Sequence, residues 1–291
     1  MSFQPSEQFP GGHFYSVIPS ADNIAMMDIL PFKDDLGVDI DMAGHEQILA
    51  IFKRLADTPP FYSSAKTKRF RIDNDNFSYD DAPVLHYMMR WLCPKRIIEI
   101  GSGFSSACML DTNDNYMSQS VDFTFIDVDC SVLRMNLLPE DAANTQIIES
   151  PIQRVDKSIF STLQPGDLLF VDSSHVMKAG SDLHTILFDV LPILAPGVWI
   201  HFHDIRYPFQ YSKAMIYGGV FWNEAYVLRA FLMYNQVFKV KFWLNWFVNQ
   251  VASNMDLISF LPLDAWARKF NNGVQDYSEA GGSIYLIKDG F

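Results

Sequence analysis

The sequence predicts an α/β fold built on a mostly parallel, doubly wound β-sheet with helices on both faces. From Arg96 onwards, short apolar segments typical of buried strands alternate with helical segments, which is the pattern of a parallel sheet. The first of these segments, Arg96 to Ile100, is followed by Gly101 and Gly103. Such a turn lets the backbone approach a ligand closely, at the point where nucleotide-binding folds of this class place their site.

The first 78 residues are predicted to be an N-terminal extension, and residues 79–291 the main domain, with an insertion at about 252–281. Pro and Gly make residues 1–40 look irregular. A helix is then predicted from Met42 to Ala56, where apolar side chains cluster on one face. A second helix runs from Ala82 to Leu92, with Asp81 as its N-cap. The extension either acts as a lid over the site or serves packing alone.

The elements of the main domain follow in order after residue 95. Seven segments are predicted as strands: Arg96 to Ile100, Phe123 to Asp127, Thr145 to Glu149, Leu168 to Asp172, Val198 to Asp204, Val237 to Phe247 and Ser283 to Lys288. Three more are predicted as helices: Gly180 to Leu194, Phe221 to Tyr234 and Leu263 to Phe270. The fourth strand is apolar throughout and should therefore lie in the middle of the sheet.

Composition and charge limit the classes of partner. The net charge is −12 and the isoelectric point is about 4.9, so nothing supplies the basic face that nucleic acids or anionic membranes require. A small molecule is the expected substrate. The three cysteines show no metal-binding spacing, and neither a signal peptide nor a membrane span is evident. We therefore expect a cytoplasmic protein.

The residues around the glycine turn indicate which nucleotide binds there. Glu99 ends the first strand two residues before Gly101, and it would repel the pyrophosphate of a dinucleotide but attract a cationic amino-acid group. The run Glu99, Gly101, Gly103, with Ser105 at the last small position, resembles the first motif of the class I S-adenosylmethionine (SAM)-dependent methyltransferases. That resemblance implies a Rossmann-like, seven-stranded sheet that closes with an antiparallel C-terminal strand.

Further residues extend the predicted cofactor site. Asp127 lies 26 residues after Gly101, near the spacing at which such folds direct a carboxylate to ribose hydroxyls. Asp129 is the competing candidate, but Asp127 is nearer to the turn. By position, the resemblance places Ser150 beside the adenine ring and Asp172 at the same edge. The predicted SAM-binding residues are therefore Glu99, Gly101, Gly103, Ser105, Asp127, Ser150 and Asp172.

Two motifs at strand ends carry the predicted chemistry. Residues 171–175 read Val-Asp-Ser-Ser-His, and residues 201–205 read His-Phe-His-Asp-Ile. Together with Trp222-Asn223-Glu224 they resemble a subgroup of small-molecule methyltransferases. His175 has the ordinary pKa of a general base near neutrality, and Asp172 and Asp204 should meet it at the edge of the sheet. These three residues are the predicted catalytic group.

A metal is not expected at this edge. Within the superfamily that the sequence resembles, the catechol-type methyltransferases bind magnesium through acids at the ends of the fourth and fifth strands, together with an Asn after the second acid. Here Ile205 occupies that position. If a divalent metal is bound, Asp172, Asp204 and His203 are the predicted ligands, with His175 as an alternative histidine. One of His201 and His203, which share a strand face, could equally be a hydrogen-bonded core residue.

The leading hypothesis is a SAM-dependent methyltransferase that acts on a small molecule, at a hydroxyl group. The alternatives are a methyltransferase-like binding or scaffold protein without catalysis, and an NAD-dependent enzyme, which Glu99 and Ser105 disfavour. The predicted aromatic strand Val237 to Phe247 could continue across a homodimer. The acceptor and the oligomeric state are not determined by the sequence.

Overall fold

The computed structural model describes residues 8–27, 36–56, 68–250 and 255–290. Predictions for residues 1–7, 28–35, 57–67 and 251–254 lie outside these ranges. The strands are β1 Arg96–Ile100, β2 Asp122–Asp127, β3 Thr145–Glu149, β4 Leu168–Val171, β5 Trp199–Phe202, β6 Phe238–Trp243 and β7 Ile284–Lys288. The helices are α1 Ala21–Met26, α2 Met42–Leu55, α3 Asp81–Leu92, α4 Phe104–Tyr116, α5 Ser131–Asn136, α6 Asp182–Thr185, α7 Lys213–Tyr217, α8 Glu224–Leu232, α9 Leu244–Gln250 and α10 Leu263–Phe270. No helix within the described ranges is long and apolar enough to cross a membrane.

The seven strands form one sheet in the order β3-β2-β1-β4-β5-β7-β6. The strands β1 to β5 pair in parallel, and β7 inserts antiparallel between β5 and β6. The predicted α/β class, with a mostly parallel sheet and an antiparallel C-terminal strand, is therefore confirmed. Because the strand order reverses between β1 and β4, the loops after these strands diverge and leave a crevice, which is where sheets of this kind bind ligands.

Apolar side chains fill both faces of the sheet. In β4, Leu168 and Phe170 belong to one core, and Leu169 and Val171 belong to the other, as the two-residue repeat of a strand requires. The first core is closed by α2, α3, α4 and α10, and the second by the segment 182–194 and α8. A strand that is buried on both sides fixes the sheet centrally, and with it the position of the loop that follows β4.

A buried arginine joins the segment before α3 to the sheet domain. The guanidinium of Arg69 lies 2.8 Å from Asp111 and 2.9 Å from Asp114, and its Nε donates to Asp141 at 2.9 Å. Asp111 also accepts hydrogen bonds from the backbone N–H groups of residues 68–70. This network ties residues 68–70 to the second half of α4 and to Asp141.

One predicted strand is wrong in its second half. The segment Val237 to Phe247 is a strand only as far as Trp243, and the helix α9 follows it. The backbone N–H of Trp243, the last residue of the strand, donates to His45 at 2.9 Å. The buried Asn245 then donates to the carbonyls of Ser278 and Ala280, so the turn is held by contacts distant in sequence.

The helix predicted from Gly180 to Leu194 is also less regular than its pattern suggests. It starts as α6, continues as a π-helical turn over Ile186–Val190 and ends as a 3₁₀ turn over Leu191–Ile193. Pro192 lacks a backbone N–H, so a regular α-helix cannot be continued through it.

Candidate active site

The glycine turn is pressed against the end of β4. Gly101 has φ of 83°, and its N–H donates to the Ile126 carbonyl at 2.9 Å. A Cβ at this position would lie 1.8 Å from the carbonyl oxygen of Asp172. Glycine is therefore required on both conformational and steric grounds, and the turn and the Asp172 loop are held together as one rigid floor.

Glu99 lies beneath this floor and is fully buried. Its two carboxyl oxygens accept hydrogen bonds from the hydroxyls of Ser105, at 2.5 Å, and Ser106, both in the first turn of α4. Burial raises the pKa of Glu99 to about 8, although these hydroxyls oppose the shift. Glu99 thus fixes the start of α4, and it is not among the residues that line the clefts described below. Its contact with a cofactor stays a prediction.

Asp127 is placed at the mouth of the turn. Its carboxylate accepts hydrogen bonds from the N–H of Ser102 at 2.7 Å and from the N–H of Asp129 at 3.1 Å. Asp129 is exposed, and its own carboxylate accepts from the N–H of Ser131 at 2.9 Å. Of the two acids considered from the sequence, Asp127 is the one that lines the cleft.

A cleft of 430 Å³, called here the first cleft, opens at the carboxyl ends of β1 to β4. Four of the predicted cofactor residues line it, one from each strand end: Gly101, Asp127, Ser150 and Asp172. Gly103 and Ser105 line a smaller adjoining recess that shares Asp127 and Asp172 with it. Topology therefore brings these predicted residues to one edge of the sheet, with Glu99 supporting them from below.

His175 is buried at the inner end of this edge. Its Nδ1 lies 2.6 Å from the Glu224 carboxylate, and its Nε2 lies 3.3 Å from Asp172 and 3.7 Å from Asp204. Both His175 (φ 58°) and Asp204 (φ 57°) adopt the left-handed backbone conformation. This conformation is uncommon for residues other than glycine, and it often marks functional loops.

The carboxylates around His175 change its pKa. Burial alone would lower the pKa, but the contacts with Asp172 and Glu224 outweigh it and raise the pKa to about 10. The ordinary value expected from the sequence is therefore wrong for this structure. Burial would in turn raise the pKa of Asp172, but the neighbouring histidines hold it below its usual range.

His203 completes a cluster with Asp172 and Asp204. Its Nδ1 lies 3.6 Å from each carboxylate, within ion-pair distance, and makes no hydrogen bond to a residue that the structure describes, although the side chain is buried. One donor atom from each of the three residues lies within 4.8 Å of the others, so the cluster could hold a metal ion. His201, by contrast, stacks on Phe170 in the core. Of the two histidines on this strand face, the structure places His203 in the site.

Two acidic residues were not assigned to the site from the sequence. Glu224 belongs to the noted Trp222-Asn223-Glu224 motif, but no pattern indicated that it would contact His175, 49 residues away. Asp81 was expected to cap α3, which is wrong because Asp80 holds that position. The Asp81 carboxylate instead accepts from the N–H groups of Gly282 and Ser283 and lies 3.3 Å from Nε2 of His203.

The loop after β4 is held by polar contacts along its length. Asp182 accepts hydrogen bonds from the N–H and the hydroxyl of Ser174, at 2.7 and 2.6 Å. The Asn223 side chain accepts from the Met177 N–H at 2.6 Å and donates to its carbonyl at 3.2 Å. The motif residues Ser174, Asp182 and Asn223 therefore have a structural role, because their contacts hold His175 in its left-handed backbone conformation.

Comparison with known proteins gives a family assignment for this region. Residues 98–205 match the family model described as a methyltransferase domain. A protein of Archaeoglobus fulgidus, described as uncharacterized, is 30% identical over 165 residues, which cover 54% of this chain and 74% of that protein. The match to the family model begins in β1 and ends just after Asp204, so it contains the glycine turn and both acidic strand ends.

Solved structures are also similar to this chain, but their sequence identity to it is lower. The SAH-bound methyltransferase PaMTH1 of Podospora anserina is 19% identical, with a TM-score of 0.40, and the match covers 72% of this chain and 92% of that one. The SAM-bound O-methyltransferase TomG of Streptomyces achromogenes is 15% identical, with a TM-score of 0.41 and coverage of 93% and 96%. At these scores, such likenesses support no statement about the site.

Proposed function

This chain belongs to the class I SAM-dependent methyltransferase superfamily, and from that premise we propose that it transfers a methyl group from SAM to a hydroxyl group of a small molecule. The observation that carries the proposal is the juxtaposition at one sheet edge. The loops after β1 to β4 line the first cleft, and Asp172 in this lining lies 3.3 Å from Nε2 of the buried His175, which is 3.7 Å from Asp204. A donor site and a group that can move a proton are thus adjacent.

The first cleft is the proposed SAM site. Six residues would line it or its recess: Gly101, Gly103, Ser105, Asp127, Ser150 and Asp172. Asp127 suits a ribose hydroxyl because its Oδ1 accepts one hydrogen bond, from the N–H of Asp129, and keeps acceptor capacity, whereas its Oδ2 accepts from both the N–H and the hydroxyl of Ser102. Glu99, which does not line the cleft, would hold the glycine turn in shape from within the core. Bound SAM supplies an electrophilic methyl group on a sulfonium.

His175 is the proposed general base. Glu224 holds Nδ1, which leaves Nε2 directed towards Asp172 and Asp204. The pKa of His175 is about 10, so its Nε2 carries a proton at neutral pH as long as no cationic ligand is bound beside Asp172 and Asp204. Positive charge beside Asp172 and Asp204 lowers that pKa, so Nε2 can accept the hydroxyl proton once a cationic ligand is bound.

The Asp172, His203 and Asp204 cluster fits a divalent metal better than the sequence suggested. Nδ1 of His203 lies 3.6 Å from both carboxylates; burial alone would lower the pKa of the ring, but these carboxylates raise it and favour a proton on this nitrogen. A divalent metal would take the place of that proton, while Asp81 would keep the proton on Nε2. A mixed nitrogen and oxygen set suits a transition metal. When bound, such a metal polarises a coordinated hydroxyl and lowers its pKa.

The metal assignment is tested by titration with Mn²⁺ after chelation, without SAM. We expect Asp81→Asn to weaken Mn²⁺ binding by about 10–100-fold, the usual effect of losing a carboxylate that orients a metal-bound histidine. Asp80→Asn is the matched control, because the Asp80 carboxylate binds the Gly281 N–H and not His203. Equal Mn²⁺ affinity in both variants and the wild type would argue against the site.

The SAM assignment is tested by calorimetric titration of two neighbouring variants. Asp127→Ala should abolish SAM binding, whereas Asp129→Ala, which removes an exposed acid two residues further on, should leave it unchanged. Unaltered affinity in the Asp127 variant would sink the assignment. SAM binding without turnover over a broad acceptor panel would favour the scaffold alternative, and binding of NAD in its place would favour the NAD-dependent enzyme.

A further inference from the structure

A second cleft, of 470 Å³, lies on the other side of the Asp172, His203 and Asp204 cluster. His203 and Asp204 line it, whereas Asp172 lines the first cleft. A molecule in the second cleft would therefore reach the cluster from the side opposite to the proposed donor site. Its walls come from residues 75–81, 204–214 and 266–279, which lie almost wholly outside the segment matched by the family model.

The lining of the second cleft is strongly acidic. Six carboxylates contribute to it, from Asp75, Asp80, Asp81, Asp204, Asp276 and Glu279. Within the part of the chain that the structure describes, Arg206 is the one Lys or Arg in this lining, and it pairs with Glu279 at 2.9 Å. Lys269 lies nearby and pairs with Asp75 at 2.9 Å. Asp81 and Asp204 lie 3.3 and 3.6 Å from His203, whereas Asp80 and Asp276 have no described cationic partner. Six carboxylates against Arg206 and His203 leave the lining with a net negative charge.

Two buried groups show that this charge is built in rather than a feature of the outer surface. Asp80 is 7% exposed and is held by the Gly281 N–H, in spite of the neighbouring Asp81 carboxylate. Asp81 is 6% exposed, and its carboxylate accepts from the N–H groups of Gly282 and Ser283. Buried carboxylates are costly without a compensating partner, so this end of the cleft is suited to a polar ligand.

We propose that the second cleft receives the acceptor and that the acceptor carries a protonated amine in addition to its hydroxyl group; this rests on the proposed methyl transfer. An anionic acceptor would be repelled by uncompensated carboxylates in a partly desolvated cleft, and a neutral one would leave them unpaired. Trp266 and Phe270 provide an aromatic wall against which an ammonium group can also pack. The C-terminal insertion thereby acquires a role as part of the acceptor site.

The proposal is tested with matched triplets of small molecules on the SAH-loaded protein. Glucosamine, glucose and glucuronate form one triplet, and tyramine, tyrosol and 4-hydroxyphenylacetate form another. Binding is measured by ligand-observed NMR and calorimetry at low and high salt. We expect the amines to bind about tenfold more tightly than the neutral members, with the difference shrinking at high salt, and the acids not to bind. Equal binding within the triplets, or binding of no amine, would overturn the proposal.

A pair of variants distinguishes the effect of the carboxylates in the second cleft on amine binding from the effect of the overall surface charge. The carboxylate of Asp276 accepts from the N–H of Ser278 at 3.0 Å, and that of the exposed Asp156 accepts from the N–H of Ser158 at 3.0 Å. Asp276→Asn should weaken amine binding about threefold, whereas Asp156→Asn, remote from the cleft, should not. Equal effects would refute the assignment of the cleft. Failure of SAH binding would instead refute the proposed function, so the two failures are distinguishable.

Discussion

Glu99→Gln should change how the stability of this protein depends on pH. The wild-type carboxyl is fully buried between the hydroxyls of Ser105 and Ser106, and its pKa is raised from 4.5 to about 8. Glutamine has nearly the same shape, and its amide can serve both serines. The variant therefore removes the titration and keeps the packing.

The sign follows from proton linkage. Between pH 4.5 and 8 the folded protein holds a proton on Glu99 that the unfolded chain has released, so the free energy of unfolding falls as pH rises. The stabilisation is fully present below pH 4.5 and is lost as pH rises through 8. A shift of about 3.5 pH units at about 1.4 kcal/mol each makes the loss about 5 kcal/mol. Glu99→Gln should therefore be several kcal/mol more stable than the wild type at pH 9 and close to it at pH 5.

Urea denaturation at pH 5, 7 and 9 measures this difference directly. Glu149→Gln provides the control, because Glu149 also ends a strand but is exposed and pairs with Arg134. Its stability profile should run parallel to that of the wild type. If the profile of Glu99→Gln is parallel as well, Glu99 is ionised in the folded protein and the reasoning fails.

Two further substitutions test the packing around the site. Gly101→Ala should prevent folding or cost more than about 3 kcal/mol, because its Cβ would meet the Asp172 carbonyl. Gly166→Ala shares the positive φ but meets nothing within 4 Å and should cost about 1 kcal/mol in urea denaturation; similar losses would contradict the steric explanation. Arg69→Met should cost about 3–5 kcal/mol, since it leaves buried carboxylates unpaired. Arg134→Met, at an exposed ion pair, should change the stability little, and an equally small loss at Arg69 would show that the network contributes little.

The fold was largely predictable because its signals are local. β1 and β3 were predicted with the boundaries that the structure shows, since each contains adjacent β-branched isoleucines and is followed by a turn. The end of β6 was not predictable, because the contacts of Trp243 with His45 and of Asn245 with Ser278 join residues far apart in sequence. Aromatic content alone favours a continued strand.

The site was predictable to the extent that it lies at strand ends. Asp127, Asp172 and Asp204 follow from the rule that the carboxyl ends of parallel strands share one edge. The contacts of Glu224 with His175 and of Asp81 with His203 could not be derived, because they join separate elements across the site. The raised pKa of His175 depends on such a contact, so the sequence alone suggested an ordinary histidine.

Transfer of a labelled methyl group from SAM to an acceptor tests the central claim most directly. The wild-type protein, given methyl-labelled SAM and hydroxyl-bearing amines such as tyramine or glucosamine, should place the label on the acceptor oxygen. His175→Ala should bind SAM with unchanged affinity and transfer no label. Label transfer by His175→Ala at the wild-type rate would contradict the role of His175, and SAM binding without transfer to any acceptor would contradict the proposed activity.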